Sequence, residues 1–257
     1  MSPRTARSLR HEYELYIEQE IENYKESIPR PALLAIGDEA AAKIASEPQF
    51  ALTELLLLEE VDRIIAKRLR LPKYDTWRRR RLKLHEELRR PEHWGLSSSD
   101  ALVRTISGEV GHVLLAGDAA HRSALYLAAN GCDVTAVESE EEAVQRVMEA
   151  AIQAGLAERV HAVAGELSEF RPDAPLFAVV CSHAMLSTLS ARERARVISV
   201  LQSATQDGGV HMVETIIAGS SALEELRATY AGWQISIEPA SGDQQVFLAR
   251  KDDRVSH

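Results

Sequence analysis

The sequence has few cysteines, few aromatic residues and no long apolar run. Its 257 residues include two cysteines, Cys132 and Cys181, and neither has a metal-ligand neighbour at CxxC spacing. Two cysteines form no disulfide framework, and the apolar stretches around them are typical of buried thiols. No apolar run approaches the roughly 18–20 residues that span a bilayer, and residues 1–16 lack the apolar core of a signal peptide. These absences predict a reduced, cytoplasmic protein without a membrane segment or a metal site.

The sequence also lacks a net positive charge. It carries 39 acidic and 30 basic residues, a formal net charge of -9, which argues against nucleic-acid binding over the whole surface. The basic segment Arg63–Arg90 is the exception. It is either a patch for an anionic ligand, RNA or an acidic partner, or a solvated face that pairs with the acidic first helix. We favour the solvated face, because Trp77 and Leu82 are packing anchors and the segment lacks the interleaved aromatics that stack on single strands.

Residues 1–95 are predicted to be an all-helical N-terminal segment. Apolar residues recur at steps of three and four, with charged residues between them. The second helix is expected to break at Gly37, and Asp75 or Thr76 is expected to be the N-cap of the fourth. The segment could cap a substrate site or contact a partner, and its apolar first helix could pack on its own domain or form a homodimer. The predicted helices are Arg4–Ile28, Pro31–Glu47, Leu52–Leu71 and Asp75–Arg90.

The pattern changes after a predicted linker, Pro91–Ser99. Strands and helices then alternate through residues 96–251, and residues 252–257 are expected to be a frayed tail. The helices are predicted at Ala101–Ile106, Ser123–Asn130, Glu140–Ala154, Ala191–Ala204 and Ser221–Tyr230. The strands are predicted at Val113–Ala116, Asp133–Val137, Val160–Ala164, Leu176–Cys181, Gly209–Glu214, Trp233–Ile237 and Gln245–Ala249.

This alternation predicts an α/β fold with a mostly parallel sheet and right-handed crossovers. The last two strands have only Glu238–Asp243 between them. Such a connection fits a hairpin, so the last strand is expected to run antiparallel to its neighbour. Parallel sheets bind ligands outside the carboxyl ends of their central strands.

The first βα turn, Gly117–His121, is therefore the first candidate site. Small residues let the backbone approach a ligand, and the helix N-terminus that follows favours negative charge. Glu138 ends the second strand, 21 positions after Gly117. A carboxylate there can accept both ribose hydroxyl hydrogens, although it could also serve the start of the next helix.

From about Asp100 to Arg250 the chain resembles the class I S-adenosylmethionine-dependent methyltransferases. Around ALYLAANGCDVTAVE its sequence is especially similar to the small-molecule and tellurite-resistance-like branches of that family. The resemblance implies a Rossmann-like seven-stranded sheet with helices on both faces, S-adenosylmethionine as the cofactor and methyl transfer to a small-molecule acceptor. The antiparallel last strand also fits this family better than the dinucleotide dehydrogenases. The segments that carry it are VLLAGDAAHRSALYLAANGCDVTAVE, AGELSEF, FAVVCSHAMLSTLS and DGGVHMVET.

The resemblance implies a set of cofactor-binding residues, although the chain departs from the family pattern at several of them. The family's glycine motif keeps its first glycine, whereas Leu115 replaces the usual acid, and Ala119 and His121 replace the second and third glycines. Glu166 stands where the family places an acid near the adenine amino group, and Ala178 replaces an aspartate of the fourth motif. The implied cofactor residues are Gly117, Asp118, Ala119, His121, Glu138, Ser139, Glu166, Leu167 and Ser182.

Methyl transfer needs orientation, a dry cavity and sometimes a base. His183, at the end of the fourth strand, is the candidate base because its ordinary pKa suits proton transfer. It could equally be a locally hydrogen-bonded structural histidine. Two other functions stay open: a degenerate methyltransferase fold acting as a non-catalytic binding, scaffold or regulatory subunit, and a dinucleotide-dependent enzyme. The altered glycine motif motivates the first, whereas Arg122 at the third glycine of a dinucleotide motif argues against the second.

Overall fold

The structure is a computed structural model that describes residues 8–45, 53–106, 108–117 and 120–252. The chain divides into two compact units, Met1–Leu84 and His85–His257, which we call the helical unit and the sheet unit. This division lies before the predicted domain boundary at residues 95 and 96, which stays a prediction. The predicted frayed tail lies, except for Asp252, outside the described residues.

The helical unit is built from helices that share one small apolar core. Ile36 and Ile65 are fully buried, and Ile21 and Ile64 pack with them. None of the helices that the structure describes has the length and apolar character that crossing a bilayer requires. The helices are α1 (Leu9–Ser27), α2 (Arg30–Ile44), α3 (Thr53–Arg68) and α4 (Tyr74–Leu88), the last of which continues into the sheet unit.

Two details of the helical unit correct the predictions. Helix α2 runs through Gly37 without a break, because a helical glycine costs only about 1 kcal/mol and Ile36 and Ala40 on either side are fully buried. Helix α4 begins at Tyr74, so Asp75 and Thr76 lie in its first turn and are not its N-cap. Asp75 there is favourable with the helix dipole.

Helices α1 and α4 meet through aromatic rings. The Tyr13 ring lies 5.4 Å from both the Tyr74 and Trp77 rings, and the Tyr13 hydroxyl donates to a backbone carbonyl 3.0 Å away. Arg81 pairs with Glu12 at 3.2 Å. The tyrosine therefore packs, and one arginine of the basic segment pairs with the acidic first helix.

The predicted linker is partly ordered. Pro91–Trp94 forms a short 3₁₀ helix that ends at Gly95, which has a left-handed φ of 69°. The Trp94 indole donates to the Leu88 carbonyl at 2.7 Å, and the ring packs against the core of the sheet unit. The hydrogen bond and the packing of Trp94 therefore order this proline-containing segment.

The sheet unit contains a seven-stranded sheet in the order β3-β2-β1-β4-β5-β7-β6. The first five strands are parallel, and β7 is antiparallel to both β5 and β6, which confirms the predicted hairpin. The strands are β1 (His112–Ala116), β2 (Asp133–Glu138), β3 (Val160–Ala164), β4 (Leu176–Ser182), β5 (Thr205–Ile217), β6 (Gln234–Pro239) and β7 (Gln244–Arg250).

Helices cover both faces of this sheet, as predicted. Alternate residues of β1 enter two different cores: Val113 and Leu115 pack with α6 and α7, whereas Leu114 and Ala116 pack with α8, α9 and α10. Burial on both faces explains why this strand is a continuous apolar run. The helices are α5 (Ala101–Ile106), α6 (Ala120–Ala129), α7 (Glu141–Ala154), α8 (His183–Thr188), α9 (Ala191–Ala204) and α10 (Ala222–Thr229).

Strand β5 is longer than predicted and is irregular near its end. Its pairing with β7 shifts register between Val213 and Ile216, and Thr215 has a left-handed φ of 61°. A bulge of this kind changes the direction of side chains and is common beside functional sites. A non-glycine residue in this conformation costs about 1–3 kcal/mol unless its surroundings hold it there.

A buried hydrogen-bonded chain joins β5 to α10. The Thr205 hydroxyl donates its one hydrogen to the Leu201 carbonyl at 2.7 Å, so it accepts from His211 Nε2, also at 2.7 Å. The other ring nitrogen, Nδ1, then accepts from the Tyr230 hydroxyl at 2.7 Å. His211 is therefore a neutral structural residue, and burial lowers its pKa to about 3.

Candidate functional site

The end of β1 approaches the end of β4 too closely for any residue except glycine. Gly117 has a φ of 119°, and a Cβ built on it would lie 2.5 Å from Ser182 Oγ. Both the backbone conformation and the contact therefore require glycine. The predicted residues Asp118 and Ala119, which follow it, lie outside the described residues. A cavity of about 10 Å³, at the lower limit for one water, is lined by Gly117 and Ser182 together with Ser123 and Glu214.

A larger pocket lies at the end of β2. Its volume is about 270 Å³, and three of the predicted residues, His121, Glu138 and Ser139, line it together. The side chain of Glu138 is buried, with 7% of the residue exposed. His121 occupies the first turn of α6 and contributes one wall. The structure thus brings together a buried carboxylate and a helix N-terminal region where the βα pattern places them.

Two basic residues lie near this pocket. Arg146, on the second turn of α7, lines it, and Arg122 follows His121 in the chain. Burial lowers the pKa of His121, and these two guanidinium groups lower it further. His121 is therefore disposed to be neutral and to offer one donor and one acceptor to a ligand.

Glu166 and Leu167 follow β3, beside the same strand end. The amide of Gly165 donates to the Glu138 carbonyl at 2.9 Å, so this loop is held against the end of β2. The Glu166 carboxylate is exposed and accepts from Ser168 Oγ at 3.1 Å. Leu167, in contrast, is buried in the core below the site, with 3% exposed. Of this pair, only Glu166 reaches solvent above the sheet.

Ser182 and His183, at the end of β4, point to different surroundings. The Ser182 hydroxyl caps α8 by accepting from the Met185 amide at 3.2 Å, and it also lines the small cavity beside Gly117. His183 lines a separate pocket of about 320 Å³ among α8, α9 and α10, where its Nε2 lies 3.3 Å from Ser187 Oγ. The predicted base therefore does not line the cavities that hold Gly117 and Glu138.

Glu214, which the sequence predictions did not include, lies in the place where His183 was expected. It ends the apolar part of β5 directly opposite Ser182 in the adjacent strand. Burial, and then the nearby Asp100 carboxylate, raise the pKa of Glu214. Glu214 has the same sequence signal as Glu138, namely a single carboxylate at the end of a buried strand. The sequence of this strand end is VHMVE. A carboxylate with a raised pKa at this edge can act as a proton acceptor near neutral pH.

The matches with known proteins agree with this geometry. Residues 97–235, more than half of the chain, match the family described as tellurite resistance protein TehB. The chain belongs to the TehB family. The matched region begins just before α5 and ends in β6, so it contains all the strand ends described above.

A solved structure shares the fold of this TehB family member at low sequence identity, and a second one is similar over a comparable stretch. TehB from Haemophilus influenzae superposes with a TM-score of 0.52 and 16% identity, over 63% of this chain and 65% of that one. A TehB-like SAM-dependent methyltransferase from Corynebacterium glutamicum has a TM-score of 0.46 and 15% identity, over 59% of this chain and 85% of that one. No curated protein matches significantly. The H. influenzae structure confirms the predicted methyltransferase-type sheet.

Proposed function

We propose that this TehB family member transfers a methyl group from S-adenosylmethionine to a small-molecule acceptor. The observation that carries the proposal is the buried Glu138 carboxylate, which ends β2 and lines a pocket of about 270 Å³ with His121. Gly117, the first glycine of the family motif, supports it, because its φ of 119° and its contact with Ser182 require glycine at this strand end.

Each strand end has a distinct role in this proposal. Glu138 accepts the hydrogens of the ribose hydroxyl groups, and Ser139 and Glu166 border the adenosine. Gly117 and Ser182 lie toward the methionine part, where Asp118 and Ala119 follow in the sequence. The proposed Asp118 and Ala119 contributions rest on the family motif alone.

The cofactor supplies an activated methyl group on a sulfonium. The protein must then hold the acceptor in line, exclude water and accept a proton where the acceptor carries one. The strand ends of β1 and β4 serve the exclusion of water in this proposal, since Leu115, Val180 and Cys181 give the small cavity beside Ser182 an apolar lining. His183, the base predicted from the sequence, lines another pocket and stays a proposal of lower weight.

Isothermal titration calorimetry with S-adenosylmethionine and S-adenosylhomocysteine tests the proposal. We expect both to bind, and we expect Glu138→Gln to weaken both. Glu140→Gln is a matched control, because Glu140 lines the same pocket but caps no helix amide with its side chain. The absence of binding at millimolar ligand would contradict the proposal.

A non-catalytic binding or scaffold role is the second candidate. It is favoured by one observation, namely that His121 occupies part of the pocket wall where the family has glycine. Restoring glycine at positions 119 and 121 separates the two functions. If cofactor binding is absent in the parent and present in this variant, the site has decayed. A parent that already binds removes the support for this second role.

Several sequence predictions are neither confirmed nor contradicted by the structure. Cytoplasmic location stays a prediction. A homodimer through the N-terminal helices and a patch for RNA or another anionic ligand at Arg63–Arg90 stay open alternatives, of which the second is the one we do not favour. The N-terminal helices also stay a proposed cap or interaction region for the acceptor.

A further inference from the structure

Glu214 lies at the end of the regular pairing of β5 with β4, and β1 and β4 separate it from β2 and Glu138. It lines the small cavity together with Gly117 and Ser182, whose Cα register partner in β5 is Glu214 itself. The adenosine pocket, with Glu138, lies on the opposite side of β1. Glu214 is thus placed on the side where the methyl group and the acceptor would meet.

The Glu214 carboxylate has no hydrogen-bond or ion-pair partner within the part of the chain that the structure describes. It is nevertheless half-buried. A half-buried carboxylate without a protein partner is costly, and a catalytic role is one of the reasons for which native proteins keep such a group. The described residues that line this cavity include no lysine and no arginine that could serve instead.

The backbone holds this carboxylate in place. The bulge of β5 follows it at once, with Thr215 at a φ of 61°. Ser182 beside it is fixed by its own hydrogen bond to the Met185 amide at 3.2 Å. The bulge ends the regular pairing next to Glu214, an arrangement typical of strands that present a side chain to a site.

We propose that Glu214 is a catalytic carboxylate that binds the methyl acceptor through an amine nitrogen and removes its proton, an inference that rests on the proposed methyltransferase function. The Glu214 carboxylate attracts a protonated amine that is held beside this strand end. An anionic acceptor would meet only repulsion there, because Asp100 adds a second negative charge nearby.

The step balances in atoms and electrons. The acceptor ammonium gives one proton to the Glu214 carboxylate, and its nitrogen regains a lone pair. That lone pair forms the new bond to the methyl carbon as the carbon–sulfur bond breaks, with its electrons remaining on sulfur. The methylated nitrogen leaves as a cation, and Glu214 returns its proton to solvent.

The test compares sinefungin with S-adenosylhomocysteine by calorimetry on the full chain. Sinefungin carries an amine where the methyl group of the cofactor stands, so it places an ammonium on the acceptor side of the site. We expect the wild-type protein to bind sinefungin about tenfold more tightly than S-adenosylhomocysteine, as a charge-assisted hydrogen bond would give. We expect Glu214→Gln to remove this preference and to leave the affinity for S-adenosylhomocysteine within about twofold.

A matched variant separates the local effect from the general loss of charge. Glu149→Gln makes the same change at an exposed position of α7 and should leave the preference unchanged. A preference that survives in Glu214→Gln, or one that is missing in the wild type, overturns the inference. Failure of both ligands to bind the wild type contradicts the proposed methyltransferase function instead, so the two failures are distinguishable.

Tellurite is the probe for an anionic acceptor. With S-adenosylhomocysteine bound, we expect no calorimetric binding of tellurite at millimolar concentration. Binding of tellurite that strengthens in Glu214→Gln would agree with a repulsive carboxylate at the acceptor position. Tight binding that Glu214→Gln leaves unchanged would show that the acceptor side accepts oxyanions, and it would overturn the amine assignment.

Discussion

The two sides of the candidate site differ in room and in polarity. The pocket at the end of β2 has a volume of about 270 Å³ and is lined mainly by polar residues, whereas the cavity between β1, β4 and β5 has about 10 Å³ and is lined mainly by small and apolar ones. One side can receive a ligand as it stands. The other is closely packed and contains a carboxylate, Glu214, without a partner in the described chain.

This difference has a physical origin. The pocket on the β2 side is lined by long polar side chains, those of His121 on α6 and Arg146 on α7. The β4–β5 side is tight because Gly117 lets β1 and β4 approach to within contact of Ser182. A site with one open and one tight side binds the bulky part of a ligand on the first and orients a small reacting group on the second.

Acidification should destabilise the fold through the buried His211 of β5. His211 lies in the same strand as Glu214, and burial lowers its pKa from an ordinary 6.5 to about 3. The folded protein therefore binds fewer protons than the unfolded chain between these values, so its free energy of unfolding falls as pH falls below 6.5. We expect this group to contribute a loss of about 1.4 kcal/mol per pH unit, measured by urea denaturation between pH 6.5 and 5.

Two histidine substitutions are the control for this prediction. His211→Gln removes the titrating ring, so the slope of stability against pH in this window should flatten. His161→Gln, at an exposed position of β3, should leave the slope unchanged. Equal slopes in the wild type and in His211→Gln would contradict the assignment of a neutral buried histidine.

Gly117→Ala should have the largest effect of the substitutions, because the added methyl group would collide with Ser182. Its Cβ would lie 2.5 Å from Ser182 Oγ at a φ of 119°. We expect a loss of about 2–4 kcal/mol of unfolding free energy, together with loss of S-adenosylhomocysteine binding in calorimetry. Gly165→Ala is the control, since nothing lies within 4 Å of a Cβ built there. A stable Gly117→Ala protein that binds the ligand would refute the close approach.

Glu138→Gln tests the open side of the site, which is the pocket at the end of β2. Charge-assisted hydrogen bonds to a ligand contribute about 1.5–3 kcal/mol, so we expect about a 10- to 100-fold loss of affinity for S-adenosylhomocysteine. Because the effect belongs to the adenosine pocket, the affinity ratio of sinefungin to S-adenosylhomocysteine should stay as in the wild type. A change in this ratio would mean that the two sides do not act separately.

His121→Gly should produce the smallest effect. The variant enlarges the open pocket without touching the tight side, so we expect a change in S-adenosylhomocysteine affinity of less than about tenfold, toward tighter binding if the ring crowds the ligand. His121→Ala separates the loss of the ring from the added backbone freedom. Weaker binding in both variants would show that the imidazole holds the ligand through a hydrogen bond.

The fold could be predicted in large part from local pattern. The βα alternation from Val113 to Arg250 indicated the strand and helix order, and the six-residue connection before β7 indicated the antiparallel hairpin. The errors fall where tertiary packing overrides a local signal. Gly37 does not break α2, because Ile36 and Ala40 in the same helix are buried. Trp94 orders a segment in which proline and serine residues had predicted a linker.

The candidate site was predicted less completely, for a reason of geometry. Gly117, His121 and Glu138 could be predicted as candidates because they stand at fixed positions in one βα unit. Glu214 stands almost 100 residues from Gly117, in a strand whose partner is known only once the sheet order is known. His183 was assigned to the site from its place after β4, but the start of α8 turns it toward α9 and α10.

What the sequence by itself determined is the chain of strands and helices and the carboxylate at the end of β2, because periodicity and spacing act over neighbouring residues. Only the tertiary structure decided which strand ends share a cavity, that Gly117 abuts Ser182, and that Glu214 faces them. These relations depend on strand order and on a bulge in β5, and both are set by packing between residues far apart in the chain.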